Sequence, residues 1–280
     1  MSGPDKDRDA PRGLVTADPW SSLRALTPAN IAIGRAGQSL PTREVMRFGL
    51  AHAQARDAVH VSLDVDTLAR SLQQAGWQPM TARSAADSRE VYLRRPDLGR
   101  RLATESAAAL DRAGAAHPAA PDLCIVIGDG LSAVAVQSHA VPLLLQLRLQ
   151  GLGGPGSARV QEAPVVIATQ ARVALADDIA ERLRARLVVM LIGERPGLSA
   201  PDSLGVYTTW APHVGRTDAE RNCISNVRAE GLSYPAAAFR LAWLVEQAFE
   251  RQLTGVELKD ESDRVALNAA PERPLLVRKD

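Results

Sequence analysis

A few short polar segments contain the side chains in this sequence that could take part in chemistry. They are GDGLS at 128–132, ATQARV at 168–173, GERPG at 193–197 and RNCISN at 221–226. The third segment places the carboxylate of Glu194 and the guanidinium of Arg195 directly after six apolar residues, on a tight turn where a buried strand ends. Charged groups in that position can bind a polar ligand, or can form an ion pair of little energetic value on a solvated turn.

None of these segments matches a nucleotide-binding or nucleophilic signature. A dinucleotide fingerprint beginning at Gly128 needs a further glycine at position 133, which is alanine, and G-x-x-x-x-G-K-[ST] is absent. The nucleophile sequence G-x-S-x-G is absent as well. Gly128 and Gly130 indicate a sharp turn at the end of a strand, with direct ligand contact as the alternative, and Asp129 is a candidate cap of the following helix.

The histidines, cysteines and paired acids do not form a metal-binding or catalytic pattern. The five histidines lie at positions 52, 60, 117, 139 and 213, and none has a second histidine or cysteine at ligand spacing. Cys124 and Cys223 are far apart without a CxxC, which fits a reducing cytoplasm. Asp177 and Asp178 lie at a predicted helix start, where they complement the dipole. We therefore predict no catalytic residue and no metal ligand in this chain.

The composition is that of an ordinary globular protein. Of the 280 residues, 46% are apolar and 23% are charged, and the formal net charge is +1. The sequence has no basic stripe interleaved with aromatic residues, so it does not indicate a nucleic-acid partner. No apolar run reaches the ~18 residues that a membrane span needs. Residues 1–25 begin with the polar sequence MSGPDKDRDAPRG, which lacks the apolar core of a secretory signal. They are predicted to be a flexible leader, with a recruitment signal as the alternative.

The region from 26 to 120 is predicted to be mostly helical. Residues 42–57 have an amphipathic pattern, with Val45, Phe48 and Leu50 on a loose apolar face. A second helix is predicted over 64–76, with Gly76 as its stop. The segment that starts at Glu90 is predicted to be briefly extended, to turn at Pro96 and then to form an alanine-rich helix ending near Gly114. The connector AAHPAAP, which ends at position 121, is the predicted domain boundary.

Beyond the boundary, apolar runs alternate with helical patterns. The runs cover 122–130, 163–170 and 187–192, and the helical segments cover 132–149, 176–185 and 236–255. Apolar strands without alternation, separated by helices, are typical of a parallel sheet covered on both faces. We therefore predict an α/β fold with a Rossmann-like C-terminal domain at 121–255, a mainly parallel sheet and a peripheral tail at 256–280.

The carboxyl ends of the predicted strands are the expected ligand site. Loops and helix N-termini meet at that edge of a parallel sheet and offer free backbone donors. The segment RNCISN is interpreted as a polar loop beside the same edge. A carboxylate such as Glu194 accepts hydrogen bonds from primary amides and repels phosphates, which favours a large, neutral, amide-rich ligand. From the residues alone, the sequence indicates an α/β ligand-binding domain.

Several longer blocks of sequence point to a particular family. They are GRAG at 34–37, YLRRPDLGRRL at 92–102, VIGDGLSAVAV at 126–136, GERPGLSAPDSLGVY at 193–207 and RNCISNVRAEGLSYPAAA at 221–238. Over residues 25 to 255 the sequence resembles the small (light) subunit of adenosylcobalamin-dependent ethanolamine ammonia-lyase. The resemblance implies a partner heavy chain with a TIM barrel, in equal numbers and arranged around a heavy-chain hexamer. It also implies a cytoplasmic protein, inside a bacterial microcompartment.

The resemblance further implies how this chain takes part in the reaction. Adenosylcobalamin would be held between the two chains for the radical conversion of ethanolamine to acetaldehyde and ammonia, with the catalytic residues on the heavy chain. Val173 would offer a backbone or apolar contact, Glu194 would accept hydrogen bonds from a corrin amide, and Cys223 would pack near the cofactor's periphery. The alternatives are that Val173 fills the core and that Cys223 is a plain buried cysteine.

The same cofactor assignment predicts that the lower base stays bound to cobalt. Cobalamin domains that displace the base use D-x-H-x-x-G, and none of the five histidines here has an aspartate two residues before it. This chain is therefore predicted to supply no axial ligand. Two other functions remain open, a stand-alone Rossmann-type enzyme and a purely structural partner subunit that never contacts cofactor.

Overall fold

The computed structural model describes residues 14–27, 29–117, 119–152 and 161–264. Residues 1–13 of the predicted leader and 265–280 of the predicted tail lie outside these ranges. The α-helices of the described residues are α1 (Thr42–His60), α2 (Val65–Gln74), α3 (Arg89–Arg94), α4 (Thr104–Ala116), α5 (Ala133–Leu149), α6 (Leu175–Arg182) and α7 (Tyr234–Arg251). The strands are β1 (Pro79–Arg83), β2 (Leu123–Gly128), β3 (Val165–Thr169), β4 (Leu187–Gly193), β5 (Leu204–Trp210) and β6 (Arg221–Val227).

The described strands form one mixed sheet in the order β1-β3-β2-β4-β5-β6. β1, β3, β2 and β4 run parallel, and β5 and β6 are added antiparallel at one edge. The predicted α/β class is confirmed. The sheet is more mixed than the sequence suggests, because its antiparallel strands were not recognised in the sequence.

The strand order switches sides at β2. From β2 the chain crosses through α5 to β3 on one side, and then through α6 to β4 on the other side. Every residue of β2 and β4 is buried, so both faces of these strands are covered. Leu144 of α5 and Leu241 of α7 belong to the core on one face, and Leu175 and Ile179 of α6 belong to the core on the other.

Most of the predicted helices are confirmed. α2 buries Leu68 and Leu72, and its first N–H groups are capped by the Asp64 carboxylate, which accepts a bond from the N–H of Thr67 at 3.0 Å. The prediction of an extended segment before Pro96 is wrong, since residues 89–94 form α3. The hydroxyl of Ser88 caps this short helix by accepting from Val91, and the helix ends just before proline, where αR backbone is disfavoured.

The interpretation of RNCISN as a loop is also wrong. Residues 221–227 form the edge strand β6, which pairs antiparallel with β5. Only one face of an edge strand next to an antiparallel neighbour is buried, so Ile224 points inward while Cys223 and Ser225 are exposed. The sparse apolar residues of this segment therefore concealed a strand.

The described chain divides into two compact units. The first comprises residues up to 56 together with 197–199, and the second comprises 57–196 and 200 onward. In the first unit, the predicted amphipathic helix is confirmed as α1, and Val45, Phe48 and Leu50 of its loose apolar face are half or more exposed. The predicted ranges 26–120 and 121–255 remain predictions, although β1 joins residues of the former to the sheet of the latter.

A buried ion pair connects β6 to α6. Arg221 donates from Nη1 to the Asp177 carboxylate at 2.8 Å and to the Thr209 hydroxyl at 3.0 Å, and its Nη2 donates to the carbonyl of Arg216. Both side chains of the pair are at most 2% exposed. Asp178 instead accepts from the N–H of Leu102 and from Arg182. The two acids therefore have specific partners beyond the helix dipole that was predicted for them.

We expect Asp177→Ala to lower the free energy of unfolding of the full-length chain by about 3–5 kcal/mol, because it leaves the buried Arg221 charge with only the exposed Asp218 carboxylate, 3.5 Å from Nε, as a counter-ion. Glu90→Ala is the matched control, since it breaks the exposed pair with Arg94 (N–O distance 2.9 Å) and should cost less than about 1 kcal/mol. Urea unfolding followed by circular dichroism measures both values. Equal losses in the two variants would contradict the role given to the buried pair.

Candidate functional site

A crevice of about 400 Å³ opens at the carboxyl ends of the central parallel strands. Its lining residues come from the loops after β2, β3 and β4 and from two neighbouring aromatic side chains. They are Tyr92, Gly130, Leu131, Arg172, Val173, Ile192, Gly193, Glu194, Arg195 and Tyr207. The predicted convergence of the three polar turns is therefore confirmed. The crevice lies where the strand order switches sides at β2. The loop after β2 leads to one side of the sheet and the loop after β3 leads to the other, so the two diverge there.

Gly130 allows the ends of β2 and β4 to approach closely. Its φ of +56° lies in the left-handed region, and a Cβ atom there would lie 2.2 Å from the carbonyl oxygen of Gly193. The N–H of Leu131 then donates to that same carbonyl at 2.9 Å. The predicted turn geometry is confirmed for Gly130.

Asp129 fixes the loop after β3. The prediction that it caps α5 is wrong. Its carboxylate accepts from the backbone N–H groups of Gln170 at 3.0 Å and Ala171 at 2.9 Å, and Arg89 approaches it to 3.4 Å. The hydroxyl of Ser132 caps α5 instead. Burial raises the pKa of Asp129, and the two N–H donors oppose that shift.

Arg172 and Val173 follow the loop that Asp129 holds. The phenol of Tyr92 donates to the carbonyl of Ala171 at 2.9 Å, and burial raises its pKa to about 12, so the hydroxyl keeps its proton. The guanidinium of Arg172 lies over the Tyr92 ring, 4.4 Å from its centroid. Val173 is half-buried and packs against the core while it lines the crevice, so the two readings of this residue are compatible.

Glu194 is hydrogen-bonded within the chain at both carboxylate oxygens. Its Oε1 accepts from the hydroxyl of Ser225 at 2.6 Å, and its Oε2 accepts from the hydroxyl of Ser203 and from the N–H of Asn226 at 3.2 Å. No described ion pair joins Glu194 to Arg195, so the solvated turn pair considered as an alternative does not form. Glu194 joins the end of β4 to the end of β6.

Cys223 lies beside the crevice and does not line it. It is exposed on β6, opposite Tyr207 of β5, and its sulfur is 3.5 Å from the hydroxyl of Ser225. The alternative of a buried apolar cysteine is therefore wrong. Burial, together with the neighbouring Cys223, raises the pKa of Tyr207, whose ring does line the crevice. Val173 and Glu194 thus share one crevice, and Cys223 is connected to it through Tyr207 and Ser225.

Tyr92 and Arg172 are site residues that were not predicted from the sequence. Tyr92 belongs to a block far from the strand ends in sequence, and its ring reaches the crevice only because α3 packs beside the loop after β3. Arg172 was visible next to Val173, but a single arginine in a turn carries no signal of its own. Among the described residues, no helix could cross a membrane and no group of potential metal ligands comes together.

Together the fold and the crevice define an α/β protein with an open crevice at the carboxyl ends of its parallel strands. The family model described as ethanolamine ammonia-lyase light chain (EutC) matches residues 17–259. The ethanolamine ammonia-lyase small subunit of Xanthomonas campestris pv. campestris is 53% identical over 92% of this chain and 96% of its own length. That of Ralstonia nicotianae is 52% identical over 96% and 98%. The chain belongs to the ethanolamine ammonia-lyase light-chain family.

Proposed function

We propose that this chain, as the small subunit of an ethanolamine ammonia-lyase, holds one edge of adenosylcobalamin at its interface with the large subunit. The observation that carries the proposal is the crevice at the strand ends, where Val173 and Glu194 lie together. The order β3-β2-β4, which reverses at β2, also supports the Rossmann-like interpretation of the sheet.

The residues of the crevice fit the periphery of a corrinoid. Its walls combine apolar surface from Val173 and Ile192 with hydrogen-bonding groups from Arg172 and Glu194, which suits a ring fringed with amides. A volume of about 400 Å³ is smaller than the whole cofactor, so a second surface is needed to enclose the remainder. When bound, the cofactor supplies the cobalt–carbon homolysis that starts radical chemistry on ethanolamine.

Each proposed contact has a distinct physical role. Val173 offers an apolar surface to the corrin. A carboxylate has roughly four acceptor positions, and Glu194 uses three of them within the chain, so one remains for a corrin amide N–H. Cys223 lies farther out, near the cofactor's periphery. We propose no catalytic residue in this chain and place the substrate-binding and radical-handling groups on the large subunit.

The proposed partner is a large subunit with a TIM barrel, in equal numbers and arranged around a large-subunit hexamer in the cytoplasm, within a bacterial microcompartment. The first unit supports a docking role because it exposes large apolar side chains that a free surface rarely carries. Trp20 is 66% exposed, and Met46 and Phe48 of α1 are 70% and 57% exposed. A partner that covers them would remove this apolar surface from water.

The proposed function predicts that ethanolamine turnover and stoichiometric cobalamin binding require both subunits. We would compare the purified chain with the co-expressed complex, measuring cobalamin absorbance, acetaldehyde formation and native mass. The expected native mass corresponds to equal numbers of the two chains. Turnover by this chain alone would instead identify a stand-alone enzyme. Unchanged cobalamin affinity after Glu194→Ala combined with Cys223→Trp would identify a purely structural partner.

The proposed position of Cys223 predicts that cobalamin protects it from alkylation. Cys223 is exposed, whereas Cys124 is fully buried and burial raises the pKa of its thiol to about 12, so only Cys223 of this chain should react near neutral pH. Peptide mass spectrometry of the maleimide-treated complex, with and without cobalamin, measures the labelling. We expect several-fold slower labelling when the complex is saturated. Equal rates in both samples would remove Cys223 from the proposed contacts.

The absence of D-x-H-x-x-G predicts that the dimethylbenzimidazole base stays on cobalt in the complex. Electron paramagnetic resonance of the cob(II)alamin state should then show hyperfine coupling from the nitrogen of that base. Labelling the protein histidines with ¹⁵N serves as the control, because it should leave the spectrum unchanged. A change in the coupling upon that labelling would show a protein ligand on cobalt and refute the prediction.

A further inference from the structure

The crevice contains two cationic groups that have no counter-ion among the residues that the structure describes. Arg172 and Arg195 both line it, and neither forms an ion pair with any described residue. The nearby carboxylate of Glu194 is engaged with Ser203, Ser225 and Asn226. The free hydrogen-bonding capacity of the crevice is therefore mainly that of donors, which suits a ligand with acceptor oxygens.

Arg172 is held in a defined position by its surroundings. Its backbone N–H donates to the carbonyl of Gly99 at 2.8 Å, and its Nη2 donates weakly to the carbonyl of Tyr92 at 3.4 Å. Its guanidinium lies over the Tyr92 ring. A Cβ atom on Gly99 would lie 2.9 Å from Cγ of Arg172, so glycine at that position leaves room for the arginine stem. Both Tyr92 and Gly99 belong to the block YLRRPDLGRRL, whose role is thereby explained.

The Nε–H of Arg172 is buried and has no hydrogen-bond partner among the described residues. A buried donor without an acceptor is costly, and an acceptor from a ligand would remove that cost. Such a nitrogen does not define a site by itself. Arg148 also has buried nitrogens without a partner and lies over an aromatic ring, that of Trp77 at 3.9 Å, yet it does not line the crevice. The location of Arg172 at the strand ends makes the difference.

We propose that Arg172 binds an acceptor oxygen of the corrinoid, with Arg195 at the mouth of the crevice as a second donor. The inference rests on the proposed function and adds a binding residue to it. The oxygen is either a carbonyl of the ring's amide fringe or a phosphodiester oxygen of the nucleotide arm, because a guanidinium recognises both. Glu194 then accepts hydrogen bonds from the amide N–H groups, and Arg172 donates hydrogen bonds to the oxygens.

The test is the dissociation constant of the co-expressed complex for cyanocobalamin, measured by absorption titration. We expect Arg172→Met to raise it roughly 10- to 100-fold, as the loss of a charge-assisted bond would. Arg172→Lys keeps a charged stem over Tyr92 but lacks Nε–H, and we expect a smaller, several-fold increase. Arg148→Met is the matched control, since it also removes a guanidinium from an aromatic ring, and it should leave binding unchanged.

Dicyanocobinamide, which retains amides but lacks the phosphodiester, identifies the oxygen. Equal weakening of both corrinoids by Arg172→Met assigns an amide carbonyl, and weakening of cyanocobalamin alone assigns the phosphodiester. Wild-type affinity for both corrinoids in the Arg172 variants would overturn the inference and leave the proposed function standing. A loss of affinity in Arg148→Met equal to that in Arg172→Met would have the same consequence. A wild-type complex that binds neither corrinoid would overturn both.

Discussion

The carboxylate of Asp129 determines the geometry of the strand ends. It follows β2 directly, and by accepting from the N–H groups of Gln170 and Ala171 it fixes the first residues after β3. Without it, the buried N–H of Ala171 would lack a partner, at a cost of about 1–3 kcal/mol, and so would the partly buried N–H of Gln170. Because Arg172 and Val173 follow immediately, their positions depend on this carboxylate, and so does the shape of the crevice.

A second carboxylate fixes the chain on the other side of β2. Glu194 follows β4 and accepts from Ser203, Ser225 and Asn226, so it joins the turn after β4 to the edge strand β6. Arg221 then connects β6 to α6 through Asp177. The antiparallel edge is thus connected to the parallel part of the sheet by the buried Arg221–Asp177 pair and by the more exposed hydrogen bonds of Glu194. The proposed ligand would therefore meet side chains whose orientation is fixed before it binds.

The parallel part of the sheet could be predicted from the sequence because its strands are apolar along their whole length. Such runs occur where both faces of a strand are covered, and β2 and β4 are buried at every residue. The edge strand β6 could not be recognised, since only Ile224 and Val227 mark its inner face among polar neighbours. Likewise, α3 depends on the cap by Ser88 and on packing beside the loop after β3, which short-range patterns do not reveal.

The candidate site was predictable only to the extent that strand ends converge. That rule placed Val173 and Glu194 together, whereas Tyr92 enters from a distant block through a tertiary contact. The surroundings of Glu194 also reduce the number of acceptor positions that it can offer to a ligand. A carboxylate alone on a turn would be a free acceptor, but here three of its acceptor positions are used within the chain. The donors of Arg172 and Arg195 that have no partner among the described residues therefore set the character of the crevice. The proposed corrinoid, which is rich in both N–H and C=O groups, would satisfy these donors and the remaining acceptor at once.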